Sequence, residues 1–229
     1  MPPTGAISER LKTQDEWTDL PIKTKPLPKV PNTFTFANAR FLARSLHSQV
    51  HTVDVTDEGN TFPAIVKLFS RELKIRYTAE TKAYRYLQHY EVTSQGVVPK
   101  LYGILPSLDK KKLHAILGDS VPDDGPIKFP ASAIFMEYLE DAERPSAANM
   151  TPELAEEALR GLRLIHNAHV LHRDTELRNL LIYPTTNRAI WIDFSIAEVD
   201  IDLWEVEDER DEVRARLYRR VVFAPHNAP

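Results

Sequence analysis

Three oxygen-bearing side chains stand on two short polar segments in the last third of the chain. Asp174 and Asn179 lie five residues apart in "HRDTELRNLL", and Asp193 follows in "WIDFS". Apolar, strand-like residues bound both segments, so these side chains are expected on loops at strand ends. Carboxylate and amide oxygens suit a hard metal ion, but Asp and Asn also cap ordinary polar turns. The residue types and their spacing therefore leave two interpretations, a metal site or plain turns.

The composition is that of a globular protein. The 229 residues are 42% hydrophobic and 27% charged, which suits one domain or two small lobes that share a cleft. A net charge of −4 gives no reason to expect nucleic acid or an anionic membrane as a partner. The absence of cysteine excludes disulfides, thiolate metal sites and thiol nucleophiles. No apolar segment of signal-peptide or bilayer-spanning length is present, so we expect a cytoplasmic protein that does not bind membranes.

The first part of the chain is expected to form an arm, a set of strands and a helix. Residues 1–32 carry six prolines and little periodicity, which predicts an extended arm that packs against the body or stays mobile. Residues 33–69 read as three strands, with "DEGN" at 57–60 as a hairpin turn between the last two. Residues 71–90 contain neither Gly nor Pro and repeat apolar side chains at helical intervals, so a helix is expected there.

A second group of strands and a second helix follow. "VVPKLYGIL" and "ASAIFMEYLE" predict strands, and the polar stretch 106–129 between them predicts a surface excursion. Thr151 as N-cap and Pro152 at the first helical position begin a helix over 151–170. "LLIY" and "AIWIDF", on either side of the turn "PTTN", predict a short hairpin.

The last predicted element is a helix over 203–222. Its apolar positions form one stripe, and Glu212 lies four residues before Arg216, a spacing at which opposite charges pair on a helix. The whole order is strands, helix, strands, helix, hairpin and helix. This order predicts an α+β fold.

Five segments in this order resemble the protein-kinase-like phosphotransferase superfamily. "IHNAHVLHRDTELRNLLI" is similar to the end of the family's long helix, its catalytic loop and the next strand, and "WIDFS" is similar to the metal-binding DFG stretch. "AIVK" resembles the lysine strand, "AETKAYRYL" the helix that carries the lysine's glutamate partner, and "AIFMEYLE" the strand entering the hinge. One such motif is weak evidence, but five in the family's order are strong evidence.

The resemblance covers about residues 50–198 and implies a two-lobed kinase-like fold. It implies a small β-rich N-lobe at 33–139 and a truncated helical C-lobe at 140–229, after the proline-rich arm. The implied cofactors are ATP and Mg²⁺. Phosphoryl transfer needs neutralisation of phosphate charge and an aligned acceptor, with little covalent help from the protein.

The family's catalytic and metal-binding roles fall on five residues of this chain. The resemblance implies that Asn179 and Asp193 bind the metal, and that Asp174 accepts or orients the proton of the attacking hydroxyl. It implies that Lys67 holds nucleotide phosphates and that Glu80 holds Lys67 in place. Taken singly, a lysine at the end of a strand and a glutamate on a helix are expected to be ordinary surface charges, so Lys67 and Glu80 gain these roles only from the resemblance.

The hinge of the family falls on residues 136–139. The match puts Met136 beside the adenine pocket, although core packing also explains a methionine at the end of a strand. The backbone of Glu137, Tyr138 and Leu139 is implied to supply hydrogen bonds to adenine. In the loop motif, His172 is expected to pack or to bond the loop backbone, and Arg173 to neutralise the loop or a neighbouring carboxylate.

One departure from the family bears on nucleotide binding. No G-x-G-x-x-G precedes Lys67, and the only glycine between residues 33 and 66 is Gly59. Such glycines let backbone N–H groups approach phosphate closely. The segment "NARFLARSLHSQ" has to hold nucleotide without them, and Arg40, Arg44 and Ser45 are the candidates to compensate.

Two further departures lie around the aspartates. "DFS" stands in place of "DFG", which costs backbone freedom at Ser195 but retains Asp193. Glu176 lies two residues after Asp174, where many protein kinases carry a phosphate-contacting lysine. A carboxylate about 4 Å from a phosphate would cost ~4 kcal/mol per unit charge at an effective dielectric constant of 20. Glu176 is therefore expected to point away, with Arg178 as the substitute cation.

The segment after Asp193 is short for this family. Only 36 residues follow Asp193, and Tyr218 is the sole hydroxyl group beyond Ser195. This argues against a regulated protein kinase and favours the compact relatives, which include small-molecule kinases and the RIO type. The acidic residues at 198–212 are expected to repel acidic acceptors and to admit cationic or neutral ones.

Three functional hypotheses result. The first is an ATP- and Mg²⁺-dependent phosphotransferase that acts on a small molecule, and the set of matched residues favours it. The second is a pseudokinase, a binding or regulatory module without turnover, which the missing glycine loop and the short second lobe favour. The third keeps the fold and the acidic metal site but performs other chemistry on a phosphorylated substrate.

Overall fold

The computed structural model describes residues 23–45, 48–120, 130–201 and 203–222. Within these ranges the β-strands are β1 Thr35–Arg44, β2 Ser48–Asp57, β3 Asn60–Ser70, β4 Leu101–Leu105, β5 Pro130–Glu137, β6 Val170–Leu171, β7 Leu180–Tyr183, β8 Arg188–Trp191 and β9 Glu198–Val199. The α-helices are α1 Lys74–His89, α2 Lys110–Leu117, α3 Pro152–Asn167 and α4 Leu203–Val222. The fold class is α+β, as the order of patterns predicted.

Five strands form one antiparallel sheet in the order β1-β2-β3-β5-β4. The predicted "DEGN" turn joins β2 to β3, since Asp57 pairs with Asn60. Glu58 and Gly59 between them have φ of 48° and 87°. A two-residue turn with both central residues left-handed matches the twist of the flanking strands, and glycine adopts it without strain. The turn fixes the register of β2 against β3, which continues without a bulge along both strands.

The period-2 alternation of β3 divides the apolar core between the two faces of this sheet. Ala64, Val66 and Leu68 belong to a cluster that includes α2. Ile65 and Phe69 belong to the larger cluster that includes α1 and α3. Because successive side chains of a strand point to opposite faces, Lys67 lies on the face of Ile65 and Phe69, toward α1.

Helix α2 corrects the prediction of a surface excursion over 106–129. Asp109 caps the helix, because its side chain accepts a hydrogen bond from Lys112 N at 2.8 Å. The buried side chains Leu113, Ile116 and Leu117 pack against the outer face of the sheet. The prediction failed because three consecutive lysines and nearby prolines hid a short apolar pattern. Residues 121–129 lie outside the described part of the chain.

Helix α3 begins as predicted and packs against the β7–β8 hairpin and α4. Thr151 Oγ1 accepts a hydrogen bond from Leu154 N at 3.2 Å, and proline occupies the first turn. Trp191 Nε1 donates to Ala158 O at 2.9 Å. A Cβ on Gly161 would lie 3.4 Å from the indole of Trp191, so this glycine permits close contact of helix and hairpin. None of the helices in the described ranges is both long and apolar enough to cross a bilayer.

The described end of the predicted arm packs against β4. Val30 N donates to Ile104 O at 3.2 Å, and Ile104 N donates to Pro28 O at 2.9 Å. A Cβ on Gly103 would lie 2.8 Å from Val30 N, so only glycine allows this approach. Residues 1–22 of the predicted arm lie outside the described part.

Candidate functional site

The β7–β8 hairpin brings the two predicted metal ligands to the same end of one element. Asn179 immediately precedes β7, and Asp193 follows the end of β8 by two residues. Leu180 pairs with Trp191, and Ile192 N donates to Asn179 O at 2.9 Å. Antiparallel pairing therefore places the segment before β7 beside the segment after β8. Asn179 and Asp193 line the same cleft as a result.

Lys67 links the sheet, α1 and the segment after β8. Its Nζ lies 2.6 Å from Glu80 Oε2 and 2.8 Å from Asp193 Oδ1. Lys67 is 4% exposed and Glu80 is 0% exposed. The pairing of Lys67 with Glu80 that the sequence predicted is present. A buried ion pair of this kind is costly to break because either partner alone would leave an uncompensated charge.

Burial and pairing together set the ionisation of these three groups. Desolvation lowers the pKa of Lys67, but the carboxylates of Glu80 and Asp193 outweigh it and the pKa lies above its ordinary value. Desolvation raises the pKa of Glu80 to about 7, against the lowering effect of Lys67. Burial acts to raise the pKa of Asp193, but Lys67 and Ser195 hold it well below its usual range. At neutral pH Lys67 is therefore a cation and Asp193 an anion.

Asp174 is paired with Arg178. Arg178 Nη2 lies 2.7 and 2.9 Å from the two carboxylate oxygens of Asp174. The Arg178 side chain is 62% exposed and that of Asp174 is 26% exposed, so the pair is held weakly and can open. Asn179 Nδ2 donates to Asp174 O at 2.8 Å, which fixes the orientation of the amide. Asn179 Oδ1 has no hydrogen-bond partner among the residues that the structure describes.

A cleft of about 520 Å³ lies between the sheet and the β7–β8 hairpin, and we call it the inner cleft. Its polar end holds Lys67, Glu80, Asn179 and Asp193. The opposite end is formed by the 136–139 segment after β5. The site residues predicted from the sequence therefore line one cavity, except Asp174, which lies in the adjoining one.

The adjoining cavity has a volume of about 440 Å³, and we call it the arginine pocket. Its charged lining residues are Asp174, Asp193 and four arginines, Arg44, Arg76, Arg144 and Arg178. Of its polar and charged residues, it shares Asn179, Asp193, Arg144 and Arg178 with the inner cleft. Of the residues expected to compensate for the missing glycines, Arg44 and Ser45 line this pocket and Arg40 lines neither cavity.

The 136–139 segment offers a mixed apolar and polar edge. Tyr84 donates from its hydroxyl to Met136 Sδ at 3.3 Å, so Met136 both packs in the core and lines the inner cleft. Glu137 N donates to Lys100 O at 2.9 Å, which engages one N–H group expected to meet adenine. Leu139 N donates to none of the described residues. The Leu139 N–H group is thus available to a ligand.

The 172–176 loop is anchored from inside by His172, as the sequence predicted for this residue. His172 Nε2 lies 3.0 Å from Ile192 O, and Asp174 N lies 3.3 Å from His172 Nδ1. Because a carbonyl accepts and an N–H donates, these partners fix a neutral ring with its proton on Nε2. Desolvation lowers the pKa of His172 in agreement with this tautomer, against the raising effect of Glu209.

The same loop is anchored from outside by α4, and here sequence reasoning missed two residues. Glu209 is 8% exposed, and its carboxylate accepts from His172 N at 3.1 Å and from Arg173 N at 2.6 Å. Glu209 Oε2 also lies 2.7 Å from His166 Nε2. Glu209 shares the apolar stripe of α4 with the buried Val213. A charged residue on an apolar stripe was the signal that could have found it.

Arg216 is the second missed residue. Its Nη1 donates to Thr175 O at 2.5 Å, and its Nη2 lies 3.3 Å from Glu176 Oε1. Arg216 therefore pairs with the loop and not with Glu212, the partner expected from helical spacing. The contact also directs Glu176 away from both cavities, as expected from its charge.

Two loop residues at the site hold left-handed backbone conformations. Arg173 has φ of 64° and Asp193 has φ of 66°. Side chains other than glycine adopt this region at a cost, which surrounding contacts must offset. Arg173 pairs with Glu198 at 2.7 Å, and Ser195 N donates to Asp193 Oδ1 at 3.3 Å. The site is thus a strained arrangement held by hydrogen bonds.

The residues shared by the two cavities offer oxygen atoms that could supply some of the ligands of a magnesium ion. Among the described residues no group of three His, Cys, Asp or Glu side chains is placed to hold a metal. Asn179 Oδ1 and the Asp193 carboxylate form a smaller set, with one amide and one acidic ligand. Mg²⁺ is commonly held by one or two protein ligands and completed by water and phosphate oxygens. The donor set therefore fits a metal that arrives with a phosphate ligand.

Neither a protein-family model nor a curated protein matches the chain.

Proposed function

We propose that this chain is an ATP- and Mg²⁺-dependent phosphotransferase of the protein-kinase-like fold that acts on a small molecule. In this proposal the five-stranded sheet with α1 is the N-lobe, and α3, α4 and the β7–β8 hairpin belong to a short C-lobe. The inner cleft between them takes the nucleotide. The arginine pocket beside it takes the acceptor.

The contact of Lys67 with both Glu80 and Asp193 carries this proposal. The two carboxylates lie on separate elements, and Asp193 is 126 residues from Lys67 in sequence. A buried lysine between two acids costs desolvation energy that a purely structural role would avoid with apolar side chains. Positioned cations and acids around a cleft are what phosphoryl transfer requires.

The proposed roles follow the position of each residue. Lys67, held by Glu80, donates to phosphate oxygens of the nucleotide in the inner cleft. Asp174 receives the hydroxyl proton of the acceptor as the acceptor oxygen bonds to phosphorus and the bond to ADP breaks. Arg178 leaves Asp174 to neutralise phosphate, which the exposure of their pair permits.

The nucleotide base and the metal have separate places in the proposal. Met136 and Tyr84 form the apolar wall, and the Leu139 N–H is the open donor at the adenine edge. Asn179 and Asp193 would hold the magnesium ion, which when bound neutralises phosphate charge. Asp193 shares its carboxylate with Lys67, so metal and lysine act on the same side of the phosphates.

The proposal is tested by binding and turnover in one preparation. Thermal shift with a non-hydrolysable ATP analogue should show stabilisation that needs magnesium, about 2.7 kcal/mol at 100 times the Kd. Labelled ATP incubated with an extract of small metabolites and with a peptide library should label small molecules. Labelling of peptides at the ~1–100 s⁻¹ typical of kinases would contradict the choice of substrate class.

A pseudokinase is the second candidate, and one observation favours it. Both acids assigned to chemistry are engaged, Asp174 by Arg178 and Asp193 by Lys67. A binding module has no need for them to be released. Nucleotide binding without transfer to any acceptor in the labelling experiment would favour this candidate.

A further inference from the structure

The arginine pocket collects positive charge from four separate parts of the chain. Arg44 ends β1, Arg76 lies in α1, Arg144 lies between β5 and α3, and Arg178 lies in the turn before β7. These positions span more than a hundred residues of sequence, so no local pattern brings the four side chains together. Their convergence on one cavity is a property of the tertiary fold.

The carboxylates that line this pocket do not neutralise it. Asp174 is paired with Arg178, and Asp193 is paired with Lys67 from the inner cleft. Arg44, Arg76 and Arg144 have no carboxylate partner among the described residues. Arg144 Nη1 instead donates to the backbone carbonyl of Arg178 at 2.5 Å, which ties the Arg144 guanidinium to the turn before β7. Positive charges gathered in one cavity create a positive electrostatic potential there, which attracts an anion.

Two of these cations, Arg44 and Arg76, lie apart from the proposed nucleotide contacts, whereas Arg144 and Arg178 line both cavities. Arg44 and Arg76 line the arginine pocket and not the inner cleft, whereas Lys67 lines only the inner cleft. Asp174, the proposed proton acceptor, also faces only the arginine pocket. A molecule held by Arg44 and Arg76 would therefore lie on the acceptor side of Asn179 and Asp193.

The acidic residues at 198–212, which the sequence predicts to repel acidic acceptors, are the other charges to compare with these arginines. Glu198 pairs with Arg173, and Glu209 is bound by His166 and the loop backbone. None of the residues of that segment that the structure describes lines either cavity. The charge that an acceptor meets is set by the arginines.

We infer that the arginine pocket binds the phosphate or carboxylate group of an anionic small molecule, and that this molecule is the phosphate acceptor. The assignment of the molecule as acceptor rests on the proposed function. The preference of the pocket for an anion rests only on the arginines that line it. Guanidinium groups suit both anions because they offer paired donors in a planar fork.

The first test measures binding of inorganic phosphate by calorimetry, with the inner cleft saturated by a non-hydrolysable ATP analogue and magnesium. Arg76→Gln should weaken phosphate binding about tenfold or more, which corresponds to about 1.4 kcal/mol. Affinity for the analogue should change less than about twofold. Arg85→Gln is the matched control, because Arg85 is exposed on the same helix and lines neither cavity.

The outcomes separate the two possible sources of the anion. Phosphate binding that the analogue abolishes, with Arg76→Gln weakening the analogue equally, would assign the pocket to nucleotide phosphates and overturn the inference. Absence of phosphate binding to the wild-type protein would overturn it as well. Arg76-dependent phosphate binding in a protein that binds no nucleotide would retain the anion site and reject the proposed function.

The second test addresses the acceptor itself. Labelled ATP is offered with pairs of hydroxyl compounds that differ only by a phosphate or carboxylate group. The anionic member of a pair should be labelled, and Arg44→Gln or Arg76→Gln should raise its KM about tenfold with a smaller change in kcat. Preferential labelling of the uncharged members would overturn the inference while leaving phosphotransferase activity established.

Discussion

Asp193 Oδ1 lies 2.8 Å from Lys67 Nζ, so the carboxylate predicted to bind metal is also the one that holds the buried lysine. Glu80 contacts the same Nζ at 2.6 Å. A cation at Asp193 therefore has to share that carboxylate with Lys67, and loss of Asp193 leaves Lys67 with Glu80. The consequences of changing each residue follow from this geometry.

Asp193→Asn should remove the magnesium dependence of nucleotide binding and leave the fold intact. The amide cannot supply the negative charge that favours the metal, while the Lys67–Glu80 pair keeps the interior neutralised. We expect the gain in ATP-analogue affinity on adding magnesium to fall by more than about tenfold. Calorimetry with and without magnesium measures this, with Asp211→Asn on the exposed side of α4 as control. Equal magnesium-dependent binding by wild type and Asp193→Asn would make the metal assignment wrong.

Lys67→Met should destabilise the protein by about 3–5 kcal/mol, because Glu80 would stay buried without its partner. The double variant Lys67→Met/Glu80→Leu should recover most of this loss, since both buried charges are then absent. Denaturant unfolding of the two single variants and the double variant gives the coupling energy. A coupling energy near zero would mean that the pair does not stabilise the interior.

The cost of Lys67→Met should also depend on pH. Burial raises the pKa of Glu80 to about 7 with lysine present, and removal of the lysine raises this pKa further. A carboxyl group whose pKa is higher in the folded than in the unfolded protein stabilises the fold at low pH. This contribution to the free energy of unfolding is lost as pH rises from the unfolded-state pKa through the folded-state pKa. Lys67→Met should therefore be more destabilising at pH 8 than at pH 6. An unchanged cost across this range would contradict the burial of an isolated Glu80.

His172 should make the wild-type protein sensitive to mild acid. Its pKa is lowered by burial, so the unfolded chain takes up a proton below about pH 6.5 while the folded protein does not. The stability that this group contributes is present above pH 6.5 and is lost as pH falls toward the folded-state pKa. The loss is limited to about 1.4 kcal/mol per pH unit.

His172→Gln tests this effect because glutamine keeps a donor and an acceptor but does not titrate. The stability of wild type relative to this variant should decrease from pH 7 to pH 5, measured by urea unfolding. Glu80 changes stability in the opposite direction over part of this range, and the pKa of His51 is also lowered by burial. Both groups are present in the two proteins, so their effects cancel in the difference. A constant difference would show that His172 does not titrate as its contacts require.

Glu209→Ala should destabilise the 172–176 loop more than any exposed charge on α4. The change leaves His172 N and Arg173 N without their acceptor, and a buried N–H group without a partner, such as that of His172, costs about 1–3 kcal/mol. The midpoint temperature of thermal unfolding should fall by about 2–4 °C for each kcal/mol of stability lost. Glu212→Ala on the exposed face of the same helix should have little effect. Similar melting temperatures for the two variants would contradict the anchoring role of Glu209.

Local signals in the sequence predicted most elements that carry the site. Thr151 and Pro152 predicted the start of α3, "DEGN" predicted the β2–β3 turn, and the span of α4 agrees with its predicted range. These features depend on backbone preferences and on the spacing of apolar residues within a few turns. The pairing of Lys67 with Glu80 was expected from a resemblance between segments, because no local rule connects a strand residue to a helix residue.

The sequence by itself determined the elements and the residues available for chemistry, and the tertiary structure decided which charges meet. Glu209 and Arg216 read as solvated charges of an amphipathic helix until α4 is packed against the 172–176 loop. Arg44 and Arg76 share no spacing that would mark them as partners, yet they line one pocket. The spacing of apolar residues and the capping of helices depend on residues that are close in sequence. Burial and electrostatic pairing depend on distances in space, and only the folded chain fixes those distances.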